Sequence, residues 1–297
     1  MTPTLPDQEI DPRIYALYDE YCHGAMDRRE FMAKAGAILV GGMAMAQALF
    51  PRYANAQTIS FTDPRIKANY VKYASPGGSS GEMRGYLAQP VSTTVTPCPA
   101  VLVIHENRGL NPYIEDVARR LATAGFLALA PDGLYPVGGY PGNDDDGKKL
   151  QDGLNPAKLQ TDMLNSALFV KNHALSSGKL GLTGFCWGGG ITNELAAELG
   201  KQVQAAAPYY GLAPAADKVG KIKAELVLHF AENDPRINAT WAPFETSLKA
   251  NGTPAQAHTY AGTQHGFHNN STPRFNQVAA DLSWERTLAL FNRTLKS

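Results

Sequence analysis

The sequence predicts an α/β fold, a mostly parallel β-sheet with helices on both faces. Three observations predict it. Short apolar runs alternate with longer stretches whose apolar residues recur at helical spacing. At least one of those runs, residues 100–105, is continuously apolar, as suits a strand buried on both faces of a parallel sheet. A cysteine bracketed by glycines, Gly184-Phe185-Cys186-Trp187-Gly188-Gly189, stands between a strand-like run and a helical stretch.

The elements follow in order. Residues 70–73 and 86–88 read as two strands, and Pro76-Gly77-Gly78-Ser79-Ser80-Gly81 between them as a turn-rich hairpin loop. This pair is expected to form an antiparallel edge. After the strand at 100–105 a helix is expected over 112–124. Pro112 suits its first turn, Val117, Leu121 and Ala124 share one face, and Gly125 stops it. Strands are expected at 126–130, 179–183, 205–209, 226–230 and 257–260. Helices are expected at 159–175, 191–199, 240–250 and 275–295. Lys148 and Lys149, which follow Asp144, Asp145 and Asp146, read as a solvated loop. The 297 residues have room for one large α/β domain or two smaller ones. No repeat or low-complexity linker interrupts the chain after residue 60, so residues 57–297 read as a single catalytic domain.

The 27 basic and 27 acidic residues cancel, and no basic stripe or nucleic-acid motif is present, so no nucleic-acid partner is expected. Cys22, Cys98 and Cys186 are too few and too scattered for a disulfide framework. No C-x-x-C occurs, which argues against a zinc knuckle or a dithiol redox pair. Cys98, between Pro97 and Pro99, reads as inert.

Residues 1–56 read as a leader. Arg28-Arg29-Glu30-Phe31-Met32 and Lys34 precede a mild apolar stretch over residues 35–50, and Ala54-Asn55-Ala56 forms an A-x-A site. Basic pair, apolar region and small-residue site in that order are those of a secretory signal. The paired arginines resemble a twin-arginine signal, which implies the twin-arginine export machinery as a partner and a periplasmic location. The apolar stretch is about 16 residues, short of the roughly 20 of a spanning helix, so no stable membrane anchor is expected. The alternative is an arm that stays docked on the protein. A long leader before the arginines and the helical spacing of Tyr15, Tyr18 and Tyr21 favour it.

Cys186 carries the chemistry. A strand-to-helix turn with small residues two positions to either side is the nucleophile elbow of the α/β-hydrolase fold, here with cysteine in place of serine. Gly184 and Gly188 allow the close approach the elbow needs. A thiol at a helix N-terminus is favoured as thiolate, and the Trp187 N–H can bind a developing oxyanion. The bland alternative is a buried structural cysteine.

In this fold the acid and then the histidine follow the nucleophile. Asp234 leaves a strand end, where α/β sheets place ligands, and is preferred as the acid. Glu232 competes with it, and a loop or helix-cap role is the alternative for either. His265, in Gly262-Thr263-Gln264-His265-Gly266-Phe267-His268, is preferred as the base, with His268 the competitor. His265 and His268 lack a convincing third ligand, so no metal and no cofactor is expected. His229, inside a strand, reads as structural.

These residues resemble the dienelactone hydrolase family, also called carboxymethylenebutenolidases. The similarity spans roughly residues 69–296. It rests on Gly184 to Gly189, Asp234, His265-Gly266-Phe267, and Val103-Ile104-His105-Glu106-Asn107-Arg108-Gly109-Leu110 followed by Asn111. The resemblance implies that Glu106 lies beside the nucleophile and restrains it until substrate arrives. It also implies that the Asn107 N–H is the second oxyanion donor. A carboxylate beside a thiol disfavours thiolate by like-charge repulsion, which fits that role. The alternative is that Glu106 pairs with Arg108 or another arginine. Asn269 departs from the arginine with which some members bind a substrate carboxylate, which puts hydrolysis of dienelactone itself in question.

The expected activity is hydrolysis of a small-molecule ester or lactone through Cys186, His265 and Asp234. A general carboxylesterase or thioesterase is the nearest alternative. A thiol redox protein using Cys186, or a non-catalytic binding protein, are alternatives of other classes.

Overall fold

The apolar runs become a sheet because each has two sets of side chains to bury. The computed structural model describes residues 11–22, 26, 28–38, 42–48, 57–91 and 97–297. Three helices come first: α1 (Pro12–Cys22), α2 (Arg28–Ile38) and α3 (Gly42–Ala48). The strands β1 (Ile66–Ser75), β2 (Gly81–Pro90) and β3 (Cys98–Ile104) follow, then α4 (Pro112–Thr123) and β4 (Leu127–Pro131). Next come α5 (Asp144–Asp152), α6 (Pro156–Lys171), β5 (Ser176–Phe185), α7 (Trp187–Leu199) and β6 (Ala205–Tyr209). The chain ends with β7 (Glu225–Asn233), α8 (Pro235–Asn238), α9 (Trp241–Ala250), β8 (Ala255–Gln264) and α10 (Gln277–Leu295).

The sheet order is β1-β2-β4-β3-β5-β6-β7-β8. β1 and β2 are antiparallel, β2 runs antiparallel to β4, and all later pairs are parallel, as expected. Alternation in β3 shows why a continuous apolar run was needed. Ala100, Leu102 and Ile104 face the core under α6 and α7, while Val101 and Val103 face the core under α4 and α10. Gly181 in β5 lies under α10, where a Cβ would sit 2.8 Å from Leu295 Cδ1, so a side chain there would crowd the helix off the sheet.

Helix starts follow their caps. The side chains of Asn111, Asn155 and Asn276 accept from first-turn N–H groups of α4, α6 and α10. Pro112 and Pro156 occupy first-turn positions, where no N–H is needed.

One expected loop is a helix. Asp144, Asp145 and Asp146 open α5, capped by the Asn143 side chain on Asp146 N. Three acids at a helix N-terminus and a lysine in its last turn complement the helix dipole, which a reading of charge alone overlooks. Gly147 lets α5 press on the loop after β3, since a Cβ there would lie 2.4 Å from the Arg108 carbonyl oxygen.

The N-terminal helices build a small cluster of their own from Ile14, Tyr18, Tyr21, Met26, Phe31, Ala35 and Ala46. Tyr21 stacks on Phe31 at 5.3 Å, and Tyr18 meets Phe31 edge-on at 5.6 Å. The Tyr15 side chain and the A-x-A site at 54–56 lie outside the described residues. Among the described residues no helix is long and apolar enough to cross a membrane.

Candidate active site

From β3 the chain goes first to β4 on one side and then to β5 on the other. The crevice above the carboxyl ends of β3 and β5 is therefore a topological switch point, where open α/β sheets bind ligands. Glu106 and Asn107 leave the end of β3, and Cys186 leaves the end of β5.

Cys186 has φ 56° and ψ −115°, a backbone state that non-glycine residues seldom occupy. The turn is held by Cys186 N–H donating to the Tyr209 carbonyl and by Gly190 N–H donating to the Cys186 carbonyl. The neighbouring glycines are required by contact. A Cβ at Gly184 would lie 2.2 Å from the Gly188 carbonyl oxygen, and one at Gly188 would lie 2.4 Å from the carbonyl oxygens of Ile104 and His105. Strand β5, helix α7 and the end of β3 can approach this closely only without those side chains. Cys186 is in no disulfide, is about nine-tenths buried, and stands on the wall of a cavity of about 540 Å³. Asn107, Trp187, Leu159, Ile191, Lys148 and Arg236 share that wall. Its volume suits a small organic ligand.

Asp234 is the single residue between β7 and α8 and caps α8, with Oδ1 accepting from Ile237 N–H. Its other oxygen, Oδ2, lies 2.5 Å from His265 Nδ1. The cap and the histidine contact are thus two uses of one carboxylate, which fixes its rotamer. The Cys186 thiol lies near enough to act on the charge of His265. Burial works against a charged His265, but the Cys186 and Asp234 charges and their hydrogen bonds outweigh it, and its pKa stands well above the usual histidine range. His265 is thus bonded to Asp234 and coupled electrostatically to Cys186.

The competitors sit elsewhere. Glu232 is exposed and accepts from Gly262 N–H. His268 is buried against Tyr113, whose hydroxyl lies 2.6 Å from His268 Nδ1, and burial drives its pKa well below the usual range. His229 is buried between Tyr260 and Thr287.

Glu106 is brought to the same place. Its backbone is fixed by His105, whose Nδ1 faces the Glu106 carbonyl oxygen at 2.5 Å while Nε2 accepts from Gly133 N–H. Arg108 pairs with Asp144 at 3.5 Å, and Glu106 Oε2 accepts from Asn269 Nδ2 at 3.0 Å. Burial first, and then the Cys186 charge, raise the Glu106 pKa, while Arg274 and Arg108 oppose them. Asn269, noted in sequence only as a departure, is thus a neutral donor to Glu106.

Tyr210 was missed in the sequence. It is fully buried, holds φ 37°, and sets its ring 4.9 Å from that of His265. Burial, with Tyr113, Glu106 and Cys186 nearby, keeps its phenol protonated. Its signal was positional: Tyr209-Tyr210-Gly211 closes β6 at the edge of the same crevice. Arg274, five residues beyond Asn269, is buried and packs on Gly266. The aromatic and proline-rich segment 134–142 is not among the residues that line the cavity, whereas Lys148, Gln151 and Asp152 of α5 are. Among the described residues no group of three His, Cys, Asp or Glu is arranged to hold a metal ion.

Comparison with known proteins bears on the same region. The YqhI-like family profile matches residues 1–40. A 114-residue stretch is 59% identical to "Putative hydrolase fragment YghX" of Escherichia coli (strain K12), covering 38% of this chain and 96% of that one. A "Probable 2-oxo-3-(5-oxofuran-2-ylidene)propanoate lactonase" of Bradyrhizobium sp is 30% identical over 71% of this chain and 90% of its own length. A crystal structure titled as a putative dienelactone hydrolase from Klebsiella pneumoniae subsp. pneumoniae superposes with a TM-score of 0.66 at 27% identity, covering 77% of this chain and 99% of that one. The profile of the dienelactone hydrolase family matches residues 83–295, a span that includes the elbow, Glu106, Asp234 and His265. With an α/β-hydrolase sheet and that match over most of its length, the chain is a hydrolase of the dienelactone hydrolase family.

Proposed function

We propose that this hydrolase opens esters or lactones with good leaving groups, through an acyl-enzyme on Cys186. The observation that carries the reading is the His265–Asp234 contact at 2.5 Å, with His265 coupled electrostatically to the Cys186 thiol. An acid that fixes a histidine, and a histidine that takes a proton from the nucleophile, are the relay that nucleophilic catalysis needs.

In this reading substrate enters the cavity and displaces Glu106. His265, oriented by Asp234, holds the thiol proton, and the Cys186 thiolate attacks the carbonyl carbon. The N–H groups of Trp187 and Asn107 stabilise the tetrahedral oxyanion. The C–O bond breaks, the alkoxide or enolate leaves and takes the proton from His265, and water then hydrolyses the thioester. A thiolate expels an alkoxide of low basicity readily and an amine poorly, so activated esters and enol lactones should react and amides should not.

A substrate panel tests this. Enol lactones and aryl esters should turn over at rates that climb as leaving-group pKa falls, with simple amides inert. Turnover of amides as fast as esters would contradict it. Export is a second, separable proposal, supported by the order of basic, apolar and small residues over 28–56. It predicts that the protein is recovered in the periplasmic fraction, and recovery with the cytosolic fraction alone would overturn it.

A further inference from the structure

The site just described uses none of the three N-terminal helices, yet α1 reaches it. The Arg274 guanidinium carbon lies 4.7 Å from the centre of the Tyr18 ring. Both residues are buried, Tyr18 at 1% exposure and Arg274 at 8%. The same guanidinium also packs against Gly266, the residue after His265: a Cβ there would lie 3.0 Å from Arg274 Nη2 and 3.1 Å from Cζ. Arg274 thus touches both the arm and the histidine loop. A second tether lies beside it, because the Tyr21 hydroxyl donates to the Asp145 carboxylate. Asp145 adjoins Asp144, which pairs with Arg108.

We propose that Tyr18 is a positioning residue: its ring clamps Arg274 against the His265–Gly266 loop and so fixes a positive charge beside Glu106 and Cys186. The inference rests on the reading of Cys186 as the nucleophile, and on residues 1–56 staying docked on the protein, the alternative to their removal at the A-x-A site. A long arginine side chain has many rotamers, and an aromatic face that attracts the cation selects one of them. The charge so placed matters because of what surrounds Glu106. Its neighbours are Cys186, Arg274, Arg108, Asp144, Tyr113, Tyr210 and the neutral donor Asn269, with His265 joined to the set through Cys186. Arg274 and Arg108 are the cations of that group that make ionisation of Glu106 easier. Removing one of them makes every deprotonation in the coupled cluster harder.

The test is the pH profile of Cys186 alkylation by iodoacetamide in the full chain, read at the Cys186 peptide by mass spectrometry. Tyr18→Leu keeps an apolar side chain but loses the π face, and its midpoint should rise by about one pH unit. Arg274→Gln should raise it as much, and the double variant no further, because both act through one charge. Tyr18→Phe keeps the face and should restore the wild-type profile. Arg274→Gln leaves the arm's aromatic cluster whole, so it carries the test if Tyr18→Leu fails to fold. An unchanged profile in Tyr18→Leu or Arg274→Gln, additive effects in the double variant, or Tyr18→Phe behaving as Tyr18→Leu would overturn the clamp. Wild-type Cys186 that alkylates no faster than Cys98 would instead sink the nucleophile reading and the clamp with it. A mature chain that begins at Gln57 would overturn the clamp alone.

Discussion

The two ends of the central strands each carry a buried cysteine beside a cavity, and the two stand in different surroundings. At the amino end, Cys98 opens β3 on the wall of a cavity of about 470 Å³. Burial raises its pKa, and Lys296, itself depressed by burial, is the charge that opposes this. At the carboxyl end, Cys186 stands at a positive-φ turn with His265, Glu106 and the start of α7 around it. Burial and a nearby cavity are common to both. What differs is the surrounding set: a histidine hydrogen-bonded to an acid, a buried carboxylate, and backbone N–H groups at a helix start. A buried cysteine in a cleft is therefore no signal by itself, and its neighbours decide what it can do.

The largest expected effect sharpens that contrast. Cys186→Ala should lower kcat/KM for an activated ester by at least about a thousandfold, while Cys98→Ala should change it less than about twofold. Comparable losses in both would erase the distinction. Asp234→Asn should cost roughly 10²–10⁴-fold in kcat, because His265 would lose its orienting acceptor. His268→Gln should leave that rate within a few-fold and appear instead as a lower Tm, since it breaks the buried contact with Tyr113.

Glu106→Gln is expected to act by about tenfold, in the opposite sense for reactivity. With the carboxylate gone, Cys186 should be oxidised and alkylated faster near neutral pH. Stability should follow with a definite sign. The folded pKa of Glu106 lies above its unfolded value, so the folded state holds that proton more tightly. Its contribution is present below the ordinary carboxylate range and is lost as pH rises from about 4.3 through the raised value. Tm measured across that window should fall less steeply in Glu106→Gln than in the wild type, and a steeper fall would contradict the assignment. Gly188→Ala tests the elbow's packing. Its new Cβ would meet the carbonyl oxygens of Ile104 and His105 at 2.4 Å, and denaturant unfolding should show a loss of about 1–3 kcal/mol or more.

Much of this was legible in the sequence, for local reasons. The parallel sheet could be read because β3 must fill two cores at once. The elbow could be read because its glycine spacing is local, Gly184 being demanded by the Gly188 carbonyl four positions on, although Gly188 itself makes room for the distant end of β3. Asp234 and His265 could be ordered because each follows a strand that ends at the same edge. What was hidden depends on distant approach. Asn269 meets Glu106 across 163 positions of chain, and no local pattern marks an asparagine as the partner of a buried carboxylate. Tyr210 enters through its strained backbone, which no run of residues announces. Helix α5 was misread because its charges looked like a solvated loop, when Asn143 and three acids were capping a helix. The arm's contact with Arg274 joins two segments more than two hundred residues apart.

The central claim is that Cys186 becomes acylated and Cys98 does not. The most direct measurement is peptide-resolved mass spectrometry after rapid quenching with an activated ester, on the wild type and on His265→Ala. A transient adduct on the Cys186 peptide alone, which fails to form or fails to clear in His265→Ala, is the predicted result. Turnover without any adduct on Cys186, or acylation of Cys98 at the same rate, would contradict the account.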